Sequence, residues 1–181
     1  MLNAPEGNGF FGAQGFNGDI IVAQNHGFRA FRFTPSAELL SLVYDYPWTP
    51  GVNRSVCAIG TAWNKPGRQC PFPNKRCSHG FYAYYGEDYY PSHVDPSDGL
   101  AINGVINGYG RCVIGDKGYR SEYADIVALI RPHGSPLAVS RACFELERKF
   151  PTVPIFDSAL ELKAAIPLPG RPPRNTADDD D

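Results

Sequence analysis

Charge is scarce in this chain, long apolar runs are missing, and so are the signatures of the familiar catalytic folds. Asp, Glu, Lys and Arg make up 20% of the 181 residues, and the formal net charge is -2. No global field therefore draws the protein to nucleic acid or to an anionic membrane. No apolar stretch approaches the roughly 18 residues that a membrane-spanning helix requires. The opening residues, MLNAPEGNGFFGAQGFNG, lack the charged start and the apolar run of about 7 to 15 residues that mark a secretory signal. A cytoplasmic location is the expectation, and there thiols stay free or bind metal rather than pair. The five cysteines, an odd number, also fit a closed disulfide framework poorly. No HExxH helix, GxSxG elbow, Ser-His-Asp order or phosphate-cradling GxxxxGK(S/T) loop occurs.

What is present is glycine (19), proline (17) and a 13% share of aromatic residues. That mixture favours short strands joined by punctuated loops over a helical bundle. Residues 1–18 are glycine-rich and read as a flexible lead-in to a single domain over 19–166. DIIVAQNHGFRAFRF, from residue 19, contains two strand-like runs split at Asn25-His26-Gly27. ELLSLVYDYPW, from residue 38, suits a strand or a helical turn, ended by its prolines. GFYAYY reads as a strand, and LAINGVI and YGRCVI flank Asn107-Gly108, a dipeptide that suits a two-residue hairpin. A second turn over Gly115 to Gly118 leads into YRSEYADIVALI, where residues alternate as in a half-buried strand. Ser135 and Pro136 can cap and open a helix to Phe150, with Val139, Cys143, Leu146 and Phe150 as its apolar stripe. VPIF suggests a short strand, and Asp157 or Ser158 a cap for a last helix, ALELKAAI. Residues 167–181, proline-rich and then acidic, cannot bury a core and read as a disordered tail. The expected fold is α+β: a twisted antiparallel sheet, mostly from residues 80 to 130, packed against one or two C-terminal helices.

The irregular middle, residues 49–79, is too long for an unanchored loop in a compact domain. Four soft or borderline ligands lie along it in the order Cys-x12-Cys-x6-Cys-x-His: Cys57, Cys70, Cys77 and His79. Three thiolates and one imidazole match tetrahedral zinc, and a full set of protein ligands implies a structural site. Residues two apart on an extended chain face the same way, so Cys77 and His79 can share one ion. The tight CxxC knuckles of the common zinc modules are missing, which leaves free core or loop thiols and disulfides as alternatives. Cys112 and Cys143 suit buried free thiols.

The stretch from Phe28 to Tyr123 resembles a group of small uncharacterised actinobacterial and actinophage proteins. The residues that carry the likeness are FRAFRF, SVCAIG, CPFPNKRCSHGFYAY, INGVINGYGRCVIG and KGYRSEYAD. The group's pattern is H-x-A-P-x-x-x-C-x-C-G-I-Y-A, preceded by a cysteine and followed by G-x-R-A-E-Y-A. Cys57 and Cys77 match it directly. Cys70 stands where the group has histidine and His79 where it has cysteine, so the resemblance implies that the ligand set is preserved by exchange. It implies no activity.

Two surfaces suggest partners. Tyr82, Tyr84, Tyr85, Tyr89 and Tyr90, if exposed together, would form an adhesive patch for another protein. Arg29, Arg32, Arg68, Lys75 and Arg76 would serve nucleic acid if they converged on one face. The blander reading of FRAFRF is a strand with its rings buried and its arginines in water. His26, His93 and His133 are candidates for an enzyme only beside a carboxylate in a concave pocket. A zinc-stabilised, non-catalytic module that binds a protein partner or joins a larger assembly is the leading expectation.

Overall fold

The computed structural model describes residues 20–22, 24–42, 46–57, 72, 79–86 and 99–168. The expected flexible lead-in and nearly all of the expected tail lie outside them. Among the described residues the elements follow in the order β1 (Ile20–Val22), β2 (Asn25–Phe33), β3 (Leu39–Ser41), β4 (Asn53–Arg54), β5 (Phe81–Tyr84), β6 (Leu100–Ile114), β7 (Gly118–Ile130), α1 (Pro136–Lys149), β8 (Ile155–Phe156) and α2 (Ala159–Ala165). The architecture is α+β: an antiparallel sheet with two helices late in the chain, and β8 alone joins in parallel, on β7.

The sheet closes on itself. β2 pairs with β6 along its whole length, from Asn25 opposite Gly108 to Phe33 opposite Leu100. β5 joins β2 at Phe28–Tyr84 and β7 over Phe81–Tyr84, and β7 returns to β6. The circuit β6–β2–β5–β7 therefore leaves no free edge among its central strands, apart from the gaps that β1, β3, β4 and β8 partly fill. The break between the two strand-like runs falls before Asn25, and Asn25, His26 and Gly27 belong to β2.

The hairpin expected at Asn107-Gly108 is not there. β6 runs straight through this dipeptide, and the chain reverses over 115–117, where Gly115 N–H donates to Gly118 O at 2.8 Å. Gly108 serves close approach instead of a turn: a Cβ there would run into the Tyr119 ring and Ser121 Oγ. Three residues further on, β6 bulges between Tyr109 and Cys112, and Gly110 takes a φ of 77° that suits glycine. The bulge bends a strand too long to stay flat around a small ring.

Two apolar clusters hold the layers. Inside lie Phe31, Phe33, Ile102, Ile106, Tyr119, Ile126 and Leu129, joined by Trp48, Phe81, the α1 residues Ala142 and Leu146, and Phe150 at the helix C-cap. Each such side chain removed from water contributes about 1.5–3 kcal/mol. On the other face, Leu162 of α2 covers Phe28, Val105, Ala128 and Ile130. α1 begins as its sequence implies, with Ser135 Oγ accepting from Ala138 N–H and Pro136 at the first position. For α2 the cap is Ser158, which accepts from Glu161 N–H at 3.2 Å, while the Glu161 carboxylate reaches back to Asp157 N–H.

Candidate functional site

The root of the irregular middle is defined by β7. β4 runs antiparallel to it, with Asn53 opposite Ala124 and Arg54 opposite Tyr123, and Ser55 N–H donates to Glu122 O at 2.8 Å. β5 takes up the same side of β7 one step further along, with Phe81 opposite Ser121. The chain thus leaves and rejoins the sheet at consecutive β7 residues. Cys57 sits just beyond the point of departure and is buried; His79 sits just before the point of return and is half-buried. The His79 ring meets the Phe72 ring edge-on at 5.5 Å, and its carbonyl accepts from Arg120 Nη1. Burial, reinforced by the nearby Arg120 charge, lowers the His79 pKa and favours the neutral imidazole. Cys70 and Cys77 lie outside the described residues. Among the described residues no group of three or more His, Cys, Asp or Glu is placed to hold a metal ion.

The described tyrosines take separate places. On β5, Phe81 and Ala83 face the core, so Tyr82 and Tyr84 point to the other side. All three of Tyr82, Tyr84 and Tyr85 are half-buried. Tyr84 leans on the Phe28 cluster, and Tyr85 packs on the inner cluster with its ring 6.3 Å from that of Tyr119. Tyr89 and Tyr90 fall outside the described residues, as do Arg68, Lys75, Arg76 and His93. A more exposed apolar set, which the sequence reading did not take for a partner surface, lies on the helices: Leu137 (82% exposed), Phe144 (63%) and Leu160 (78%). Leu137 and Phe144 are two turns apart on α1 and share its outer side. The signal was available, because neither belongs to the inward stripe.

The two β2 arginines part company. Three residues apart on an unbroken strand, Arg29 and Arg32 face opposite sides of the sheet. The rings of Phe28, Phe31 and Phe33 are buried as the bland reading requires, yet Arg29 also turns inward instead of toward water.

A polar row crosses the outer face beside the α2 cluster. His26 is opposite Asn107, and Asn107 opposite Asp125, on three successive strands. His26 Nδ1 lies 3.3 Å from the Pro167 carbonyl, which can only accept, so Nδ1 is the donor in this contact. Tyr109 O–H donates to Asp125 Oδ1 at 3.1 Å, and burial together with that carboxylate raises the phenol pKa to about 12. The Tyr109 ring stacks on Tyr123, whose ring lies 6.0 Å from the Arg54 guanidinium. The row sets an imidazole, an amide and an aspartate on successive strands, with the imidazole and the aspartate separated by a full strand. His133 is exposed and stands apart from it.

No protein-family model, curated protein or solved structure matches the chain. Among the described residues, no helix is long and apolar enough to cross a membrane.

Proposed function

We propose that the chain is a zinc-stabilised protein-interaction module of the cytoplasm, with Cys57, Cys70, Cys77 and His79 as ligands of one structural ion. The observation that carries this reading is the shared root of the irregular middle: Cys57 and His79 stand at its two ends, and those ends meet the same side of β7 at neighbouring residues. An ion bound there would close the intervening segment at little entropic cost, since its ends already lie close together. Three thiolates and one imidazole complete a tetrahedral shell, which suits a structural role, because catalysis needs an open position. The neutral state favoured for His79 is the one that ligates. The partner surface centres on Tyr82 and Tyr84, which share one side of β5, and Tyr85, packed on the inner cluster, is withdrawn from it; the apolar ridge of Leu137 and Phe144 is a second face. The nucleic-acid alternative, which needs its arginines on one face, is weakened by the opposite facing of Arg29 and Arg32.

Metal content after extensive dialysis decides the central claim. Close to one zinc per chain is expected in the wild type and far less in Cys77→Ser, with a chelator lowering the thermal midpoint of the wild type only. Wild-type protein that folds identically with no bound metal would refute it.

A further inference from the structure

The interior of the ring holds a charge that no carboxylate among the described residues pairs with. Arg29 stands on the inward side of β2, and its neighbour on β6 is Gly104, which puts no side chain beside it. Nη1 donates to the Tyr82 carbonyl at 2.6 Å and Nη2 to Ser41 Oγ at 2.9 Å. The guanidinium carbon lies 5.1 Å from the centre of the Trp48 ring. These contacts bridge the stretch of β2 edge between its pairings with β3 and β5, which is a structural role. That role leaves Nε unused: it is buried and meets no acceptor among the described residues. Among the described residues no carboxylate bonds to the guanidinium. Burial pulls the Arg29 pKa down to about 10, still well above neutral, so the charge persists at physiological pH.

Ser41 adds a second idle donor. Its Oγ accepts from Arg29 Nη2 and also from Trp48 Nε1 at 3.0 Å. Both lone pairs are then taken, and the hydroxyl proton must go to an acceptor that the described residues do not supply. Two donors and a fixed positive charge thus lie together without an acceptor among the described residues, an arrangement that is costly unless compensated. Arg29 as a whole residue is half-buried, while its Nε and Ser41 are enclosed by protein.

We infer that Arg29 and Ser41 form an oxyanion-binding site, taking a small molecule through its carboxylate or phosphate group. The anion would accept from Arg29 Nε–H and Ser41 O–H in charge-assisted hydrogen bonds, with Trp48 as the adjoining aromatic wall. This site is separate from the proposed metal and from the tyrosine surface, and stands or falls without them.

Trp48 reports on it directly. In a Trp63→Phe background it is the sole remaining tryptophan, and sodium phosphate and sodium acetate are titrated against sodium chloride at matched ionic strength. A saturable change in Trp48 emission with either acid is expected at low millimolar concentration or below. Arg29→Lys keeps the charge but loses the planar fork, so half-saturation should rise about tenfold or more. In wild-type protein the Arg29 Nε–H resonance should move with the same half-saturation, a readout that needs no folded variant. An emission and a resonance that respond to neither acid beyond the chloride control would overturn the assignment, as would unchanged affinity in Arg29→Lys. Their response to acetate alone or to phosphate alone would support it and fix the ligand class.

Discussion

The β6–β7 ribbon and the segment from Tyr46 to Cys57 are built on opposite principles. The ribbon is held by its backbone: a long antiparallel register, two irregularities that bend it, and glycines where strands crowd. The segment has only the two residues of β4 and an isolated bridge at Pro47 as ladder. Side chains do the holding there. Trp48 is fully buried, edge-on to Phe31 at 5.2 Å and 4.8 Å from Phe81, and donates to Ser41. Asn53 is buried and acts as a substitute backbone: Oδ1 accepts from Thr49 N–H, and Nδ2 is shared among the carbonyls of Thr49, Gly51 and Ala124. A segment secured by a few side chains should fail at single residues, where a ladder spreads the loss.

The contrast is broken most severely at Trp48. Trp48→Ala removes the keystone and should cost about 3–5 kcal/mol, measured by urea unfolding. Loss below 1 kcal/mol would mean that β4 is held by its ladder after all. Asn53→Ala leaves the Thr49 N–H and the carbonyls it served to find other partners, at a cost of about 1–3 kcal/mol. Amide exchange should then accelerate at Thr49 and Ser55 while β6 stays protected.

In the ribbon the corresponding test is milder. Tyr119 O–H donates to Asn25 O and receives the Gly108 N–H at 3.1 Å, so Tyr119→Phe should cost about 1–2 kcal/mol without shifting the register. Proton-proton contacts across β6 and β7 should be unchanged, and a slipped register would show that the hydroxyl, not the ladder, sets the pairing.

The smallest effect belongs to Glu122. The hydrogen bonds from Arg111 hold its carboxyl below the ordinary carboxylate range. A group lowered on folding adds stability above its unfolded pKa, and that contribution disappears as pH falls through the folded value. Glu122→Gln should therefore be slightly less stable near neutrality, with the difference starting to shrink near the ordinary glutamate pKa of about 4.3 and gone only once pH has fallen through the lowered folded value. Arg111 is largely exposed, so the effect stays modest. A difference constant across that range would assign it to packing.

Much of the fold was legible. The capped helices, the strands over 81–84 and 118–130, the turn after Gly115 and the α+β class follow from periodicity, caps and turn residues, all of which act within a few positions of one another. The Asn107-Gly108 turn misled because the same glycine answers two needs: positive φ in a hairpin, and absence of a side chain under Tyr119. Only the partner strand distinguishes them. Of the proposed metal set, Cys57 and His79 were recognised by residue type alone, and their placement at the joined ends of one segment came from the pairing of β4 and β5 with β7.

Local chemistry by itself determined where this chain extends, coils and stops, because caps, turns and period-two runs are short-range. Tertiary structure alone decided that the sheet closes into a ring, since closure depends on β2 finding β6 some seventy positions later. It also decided that Arg29 points into that ring while Arg32 points away. The two residues are chemically identical, and a strand presents alternate faces whose environments are set by what packs on each.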